Sequence, residues 1–190
     1  MENFYDLNGE EFFKGTVNVD ISYLYDDFLK LIPENGNILD AGCGSGRDSK
    51  FFKSQNYNVT SIDGSKEMCR LASEYLNDEV LHMQFQEMDF SEEFDGIWAL
   101  ASLLHVPSDE IEDVLKKMKN SLKENGVLYA SFKYGEFEGE RNGRYFYDLN
   151  EESSNELFTK LDFEIVKTWT TQDARKNRQD EKWLNIIVKK

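Results

Sequence analysis

The stretch Ile38-Leu39-Asp40-Ala41-Gly42-Cys43-Gly44-Ser45-Gly46-Arg47 decides how this chain is read. An apolar run ends in an acid, and three glycines follow at every second position. Ser49 to Phe52 then opens an apolar-periodic segment, so the order is strand, tight glycine turn, helix. Glycines in such a turn let the backbone enter left-handed conformations and let a ligand approach main-chain N–H groups. The next strand, Asn58-Val59-Thr60-Ser61-Ile62-Asp63, ends in a second acid. An acid about 20 residues past a glycine turn is where a nucleoside ribose is usually gripped. The segment therefore predicts a site for a nucleoside-bearing ligand.

Outward from this stretch, strands and helices alternate from Asn37 onward, the pattern of a mostly parallel sheet covered on both faces. Strands are expected at 37–40, 58–63, 80–84, 94–100 and 127–133, with helices at 47–55, 66–76 and 110–122. Glu124-Asn125-Gly126 reads as a turn. A short helix over 155–161 precedes two late strands, 163–170 and 183–188, which fit an antiparallel pair closing the sheet. The fold class is thus α/β, a doubly wound, mostly parallel seven-stranded sheet in one domain over 1–190. The first 32 residues are expected to form a helical cap, with Leu24, Phe28, Leu29 and Leu31 packing inward. Two loops stand out: 134–147, rich in glycine, aromatics and charge, and the polar 171–182 with Arg175, Lys176 and Arg178. The first follows a strand and should rise from the carboxyl edge, where open α/β sheets bind ligands.

Composition sets the outer limits. The 190 residues carry 37 acids against 22 bases, a formal net charge of −15, which argues against a nucleic-acid partner. No apolar run approaches the roughly 20 residues of a membrane span, and the N-terminus lacks signal-peptide character. Cytoplasmic residence and a monomer or weak homodimer are expected. Cys43 and Cys69 form no C-x-x-C pair, and His82 and His105 lie far apart, so no metal or disulfide framework is expected.

The turn itself narrows the ligand. A dinucleotide site wants G-x-G-x-x-G, and the third glycine would fall on Arg47. A P-loop is excluded because no Gly-Lys-Ser/Thr follows. Asp40 with the alternating Gly42, Gly44 and Gly46, and Asp63 in register, resembles motif I and the second-strand acid of the class I S-adenosylmethionine-dependent methyltransferases. Ile62-Asp63-Gly64-Ser65, Met88-Asp89-Phe90, Phe94-Asp95-Gly96-Ile97-Trp98-Ala99 and Leu122–Leu128 continue the resemblance along most of the chain. More narrowly, Ala101-Ser102-Leu103-Leu104-His105-Val106-Pro107, Ser131–Gly135 and Trp183-Leu184-Asn185 resemble a group of small bacterial methyltransferases labelled tellurite-resistance-like.

The resemblance implies a Rossmann-like methyltransferase fold and S-adenosyl-L-methionine as cofactor, with S-adenosyl-L-homocysteine as product. It implies that the turn Gly42–Gly46, with Cys43, passes under the methionine and ribose, and that Asp40 orients the turn. Asp63 would accept from both ribose hydroxyls, and Gly64 and Ser65 would flank the adenine. Asp89 would take the adenine amino group and Phe90 a backbone contact. Leu100 and Ala101 would line the methionine end, with Arg47 as a partner for its carboxylate or simply a first-turn helix residue.

Methyl transfer from a sulfonium is an in-line displacement, so the protein mainly supplies proximity, alignment and a dry site. A base is needed only where the acceptor must lose a proton. His105, at the carboxyl end of the fourth strand, is the candidate base or acceptor-binding group; the alternative is a histidine that hydrogen-bonds the loop and caps the site. The acceptor pocket is expected from Tyr5 and Thr16 of the N-terminal segment and from Lys133, Tyr134, Arg144 and Tyr145. Arg141, Arg144 and Arg175 stand out against the acidic background and point to a small anionic or polar acceptor, unless they pair with nearby acids. No Asp/Asn-Pro-Pro-aromatic motif follows the fourth strand, which sets aside nucleobase and glutamine amino groups as acceptors. Too few cysteines are present for arsenite-type chemistry. A non-catalytic cofactor-binding module and a nucleotide-dependent oxidoreductase remain as alternatives.

Overall fold

The computed structural model describes residues 4–175 and 177–190; the first three residues of the expected helical cap and Lys176 of the polar loop lie outside them. Strands β1 (Asn37–Ala41), β2 (Asn58–Asp63), β3 (Leu81–His82), β4 (Phe94–Ala99) and β5 (Leu122–Lys133) run parallel. The hairpin ribbon β6 (Glu138–Arg141) and β7 (Arg144–Tyr147) stands apart from the sheet. Strands β8 (Glu164–Gln172) and β9 (Lys182–Lys189) complete the sheet, β9 pairing antiparallel with both β5 and β8. The seven-stranded order is β3-β2-β1-β4-β5-β9-β8, so the winding reverses between β1 and β4. That reversal opens a crevice beyond the strands' carboxyl ends, the usual ligand position in such sheets.

Six α-helices are present among the described residues: α1 (Phe4–Thr16), α2 (Tyr25–Leu29), α3 (Arg47–Ser54), α4 (Lys66–Leu76), α5 (Ser108–Ser121) and α6 (Glu151–Lys160). The strands are buried on both faces, so consecutive Ile38 and Leu39 of β1 are both fully covered. On α5 the buried Ile111, Val114, Leu115 and Met118 recur at helical spacing and form the stripe that packs on one sheet face. On the other face Trp98 stacks on Tyr129, with ring centroids 3.9 Å apart, among Tyr25, Phe28 and Phe52. Ser65 caps α4 by accepting from the Met68 N–H at 3.2 Å.

Several boundaries differ from expectation. Strand β3 is two residues rather than five, because Gln84 opens a 3-10 turn over Phe85–Glu87, its N–H donating to Glu87 Oε2 at 2.8 Å. The expected turn at 124–126 is absorbed into β5, with Asn125 at φ 65° and a register shift against β4 between Phe94 and Gly96. The predicted loop 134–147 contains the β6–β7 hairpin, turning on Asn142-Gly143 at φ 54° and 74°. Asn-Gly between apolar-bearing strands is a strong hairpin signal, and here it was present in the sequence. In the N-terminal cap, Leu24 and Phe28 are buried, but Leu31 is 42% exposed. Helix α2 ends at Leu29, so Leu31 no longer shares its inward face, and Tyr25 and Ile32 fill the core instead. No helix among the described residues is long and apolar enough to cross a membrane.

Candidate functional site

A cavity of about 1170 Å³ opens over the carboxyl ends of β1, β2, β4 and β5. It exceeds the roughly 300–1,000 Å³ of a single small-molecule pocket, so it has room for two reactants side by side.

One side of this cavity is main chain. Gly42, Gly44 and Gly46 take φ of 78°, 54° and 76°, the left-handed region that side chains disfavour. The N–H groups of Gly42 and Cys43 both donate to the Ile62 carbonyl, at 2.9 and 3.0 Å, tying the loop to β2. A Cβ on Gly42 would sit 2.5 Å from Ser102 Cβ, so only glycine fits. Asp63, at the end of β2, accepts from the N–H of Gly44 on one oxygen and of Ser65 on the other, both at 2.9 Å. A carboxylate has about four lone-pair sites, so each oxygen keeps capacity for a further donor, such as one hydroxyl of a vicinal diol. Burial pushes the Asp63 pKa up, against the pull of those two N–H donors.

Not every expected residue reaches the cavity. Cys43, Gly64, Ser65, Leu100 and Ala101 line it. Asp40 lies beneath the loop, 2% exposed, accepting from Ser49 Oγ at 2.6 Å, and touches the ligand space nowhere. Burial, then the nearby Asp48 carboxylate, raises its pKa. Gly46 is the N-cap of α3 and also lies outside the lining. Asp89 is exposed and Phe90 half-buried, and neither borders the cavity; Met83, Gln84 and Phe85 form that wall instead. The short β3 is the reason: the strand ends two residues sooner than expected, and Gln84 Nε2 reaches the Gly64 carbonyl at 2.8 Å. Arg47 does line the cavity, but its guanidinium holds Asp48 through Nε at 2.6 Å and Nη2 at 3.1 Å. Asp48 in turn accepts from Tyr25 Oη at 2.8 Å and Trp98 Nε1 at 2.9 Å, so Arg47 completes a buried network.

The other side is built from side chains. His105 Nδ1 lies 2.6 Å from the Tyr145 carbonyl oxygen, which can only accept, so Nδ1 carries the proton. Its Nε2 is then the acceptor for Tyr5 Oη, 2.7 Å away on α1. Arg144 Nη1 donates to that same Tyr5 oxygen at 3.3 Å. Burial, opposed by the Tyr145 contact, lowers the His105 pKa to about 4. The histidine thus anchors the 134–147 segment, with no free nitrogen facing the cavity.

The cations of this side divide sharply. Lys133, 8% exposed, pairs with Glu181 and lies 3.5 Å from Asp173 Oδ2, its ammonium over the Trp183 ring. Arg175 grips Asp173 with two bonds, at 2.9 and 2.6 Å. Burial favours the neutral acid there, yet Arg175 holds Asp173 well below the usual carboxylate range. Arg141 pairs with the buried Asp148 at 2.7 Å. Arg144 has no carboxylate partner among the described residues, and its buried Nε has no acceptor. Its guanidinium lies over the rings of Phe4 at 4.7 Å and Phe146 at 5.2 Å. Thr16 spends its hydroxyl on the Phe12 carbonyl, and Tyr134 donates to Glu151, although both residues line the cavity. Tyr145 gives its hydroxyl to Glu138. Phe4, Phe12, Asp148 and Asp173 were not anticipated, because each reaches the site from a segment with no motif of its own.

Residues 38–126 match the methyltransferase domain family. An uncharacterized methyltransferase of Staphylococcus carnosus is 28% identical over 134 residues, 67% of this chain and 65% of that protein. A ubiquinone biosynthesis O-methyltransferase of Pasteurella multocida is 29% identical over 50% of this chain and 45% of its own length. The chain thus spans less than two thirds of these curated relatives. Among solved structures, the 1,6-didemethyltoxoflavin-N1-methyltransferase of Burkholderia thailandensis superposes with a TM-score of 0.77 at 21% identity, covering 98% of this chain and 84% of that one. That enzyme was crystallised with 1,6-didemethyltoxoflavin and S-adenosylhomocysteine. Residues 38–126, less than half of the chain, thus carry a methyltransferase domain, and the glycine loop, the acid that ends β2, the strand order and these likenesses together support a class I S-adenosylmethionine-dependent methyltransferase.

Proposed function

We propose that this protein methylates a small anionic acceptor, with S-adenosylmethionine as the methyl donor. The observation that carries the reading is Arg144, a cavity-lining cation with no carboxylate partner among the described residues, in a chain of net charge −15. A guanidinium in a largely dry pocket selects carboxylate or another oxyanion by charge and paired hydrogen bonds. Arg141, Arg175 and Lys133 are already neutralised by acids, so they offer no comparable site.

The residues present fit the donor. The glycine turn at 42–44, fastened by its own N–H groups to Ile62 and Asp63, would pass under its ribose side, the spare lone pairs of Asp63 would take ribose hydroxyls, and Gln84 and Phe85 border the space beyond Gly64. S-adenosylmethionine, when bound, supplies a methyl group already activated by positive sulfur. The chain's own task is to orient the acceptor in line and to exclude water, for which α1 and the β6–β7 ribbon wall the cavity. His105 does not serve as a base here, since Nδ1 is protonated and Nε2 is taken by Tyr5. The acceptor is therefore one that arrives with its nucleophilic lone pair free, as an ionised acid or a weakly basic nitrogen does at neutral pH. Relatives named for O-methylation and for N1-methylation of a heterocycle support a small-molecule acceptor.

A panel of small carboxylates, phenolates, thiolates and neutral analogues, each with S-adenosylmethionine, tests the reading by release of S-adenosylhomocysteine. Anionic acceptors should turn over, and Arg144→Gln should raise their KM about tenfold, the loss of roughly 1.4 kcal/mol, with kcat little changed. Equal turnover of neutral analogues by both proteins would overturn it.

A further inference from the structure

Helix α1 touches both halves of the cavity through a short run of residues. On the donor side, Asp6 Oδ1 accepts from Ser65 Oγ at 2.6 Å and from the Glu67 N–H at 3.3 Å, at the start of α4. Thr16 contributes its carbonyl to Arg47 Nη1 at 3.3 Å, and the Phe12 ring lies 3.5 Å from where a Cβ on Gly44 would stand. On the acceptor side, Tyr5 meets His105 and Arg144, and the Phe4 ring lies under the Arg144 guanidinium. Tyr5 and Asp6 are adjacent, so whatever seats Asp6 on the β2–α4 junction also sets the Tyr5 hydroxyl. Asn8 breaks the helix at φ −122°, which makes Phe4–Leu7 a segment of its own. The rest of α1 is held on α4, where Gly9 packs against Glu67 and Leu71 and Phe13 meets Tyr75, but no residue of Phe4–Leu7 is fully buried and Leu7 is 67% exposed. An element with so few buried contacts has a docking equilibrium that a ligand beneath it can bias.

We infer that Tyr5 is a positioning residue for Arg144, and that through α1 it makes the anion site dependent on occupancy of the donor site. This rests on the reading of Arg144 as the anion-binding group. With the donor site filled, α1 has a surface to close on, Tyr5 is fixed, and the Arg144 guanidinium is aimed. With it empty, Arg144 loses its one hydrogen-bond partner among the described residues. Linkage requires the effect to be reciprocal, since a coupling between two binding equilibria acts equally in both directions.

The test uses the full chain, S-adenosylhomocysteine as the donor-site ligand and sodium benzoate as the anion probe. Titration calorimetry should show benzoate binding at least about fivefold tighter with saturating S-adenosylhomocysteine, and S-adenosylhomocysteine tighter by the same factor with benzoate. The Nε–Hε resonance of Arg144, identified by its loss in Arg144→Gln, should shift on adding S-adenosylhomocysteine alone. Tyr5→Phe keeps the ring and removes the hydroxyl; it should bring the coupling below twofold and abolish that shift. Asp6→Ala, which frees the segment without touching Tyr5, should lower the coupling too, while Leu7→Ala should leave it at the wild-type value. Wild-type coupling in both Tyr5→Phe and Asp6→Ala, or independent binding of the two ligands in the wild type, would overturn the inference alone. No benzoate binding in any state would overturn the anionic-acceptor reading together with it, and no S-adenosylhomocysteine binding would overturn the donor site.

Discussion

The glycine-loop side of the cavity is held by main-chain groups, whereas the side facing it is held by side chains from separate segments. In the first, Gly42, Cys43, Gly44 and Ser65 place their N–H groups through strand ends and a turn, over about twenty consecutive residues. In the second, Tyr5, His105, Arg144 and the Tyr145 carbonyl meet across 139 residues of sequence separation. Main-chain geometry tolerates little change and serves one shared ligand. A set of side chains can be exchanged one at a time, so the second side is where a family with a common donor can vary its acceptor.

The sharpest way to break this contrast is Asp63→Ala. It removes the proposed diol acceptor and also frees the Gly44 N–H, so S-adenosylhomocysteine affinity should fall about a thousandfold, roughly 4 kcal/mol. Calorimetry showing less than a threefold change would mean the main-chain side is not the donor site. On the facing side, the half-buried, neutral His105 sets an acid limit. Its folded pKa of about 4 lies below the ordinary 6.5, so the unfolded chain takes up the proton first. Its contribution is complete above pH 6.5 and is lost as pH falls from there through 4, on the order of 3 kcal/mol. His105→Gln can still donate to the Tyr145 carbonyl and accept from Tyr5, and denaturant titrations should show that this part of the acid slope has gone. An unchanged slope would place the histidine in an ordinary solvated setting. The smallest effect is Gly42→Ala, about 2 kcal/mol of unfolding free energy, from the left-handed φ and the clash with Ser102. Ser102 cannot easily yield, because its hydroxyl donates to the Ala41 carbonyl at 2.7 Å. A neutral result by thermal unfolding would show the loop to be looser than its contacts suggest.

The same contrast explains what was legible beforehand. Strand β2 and helix α4 were read to the residue, since Asn58–Asp63 and the Ser65-capped Lys66–Leu76 carry their boundaries in local chemistry. The β6–β7 hairpin was missed although Asn142-Gly143 announced it, because glycine and charge around it read as loop. Asp89 was placed at the donor by the family resemblance, but β3 is cut short and Gln84 and Phe85, not Asp89, border the cavity there. Arg141, Arg144 and Arg175 all stood out as anion ligands in the sequence, with Arg144 alone assigned to the acceptor pocket. Their neighbours in the fold distinguish them: Asp148 and Asp173 neutralise Arg141 and Arg175, and Arg144 is left over.

By itself the sequence determined the alternation of elements, the glycine turn and the acid at the end of β2, because each is decided by contacts within a few residues. It thereby determined the class of donor. Which cation stays unpaired, which histidine nitrogen keeps its proton and whether α1 closes over the loop were decided only in the tertiary structure. Those properties depend on which charges and hydroxyls burial brings together, and such pairs leave no periodic or spaced trace along the chain.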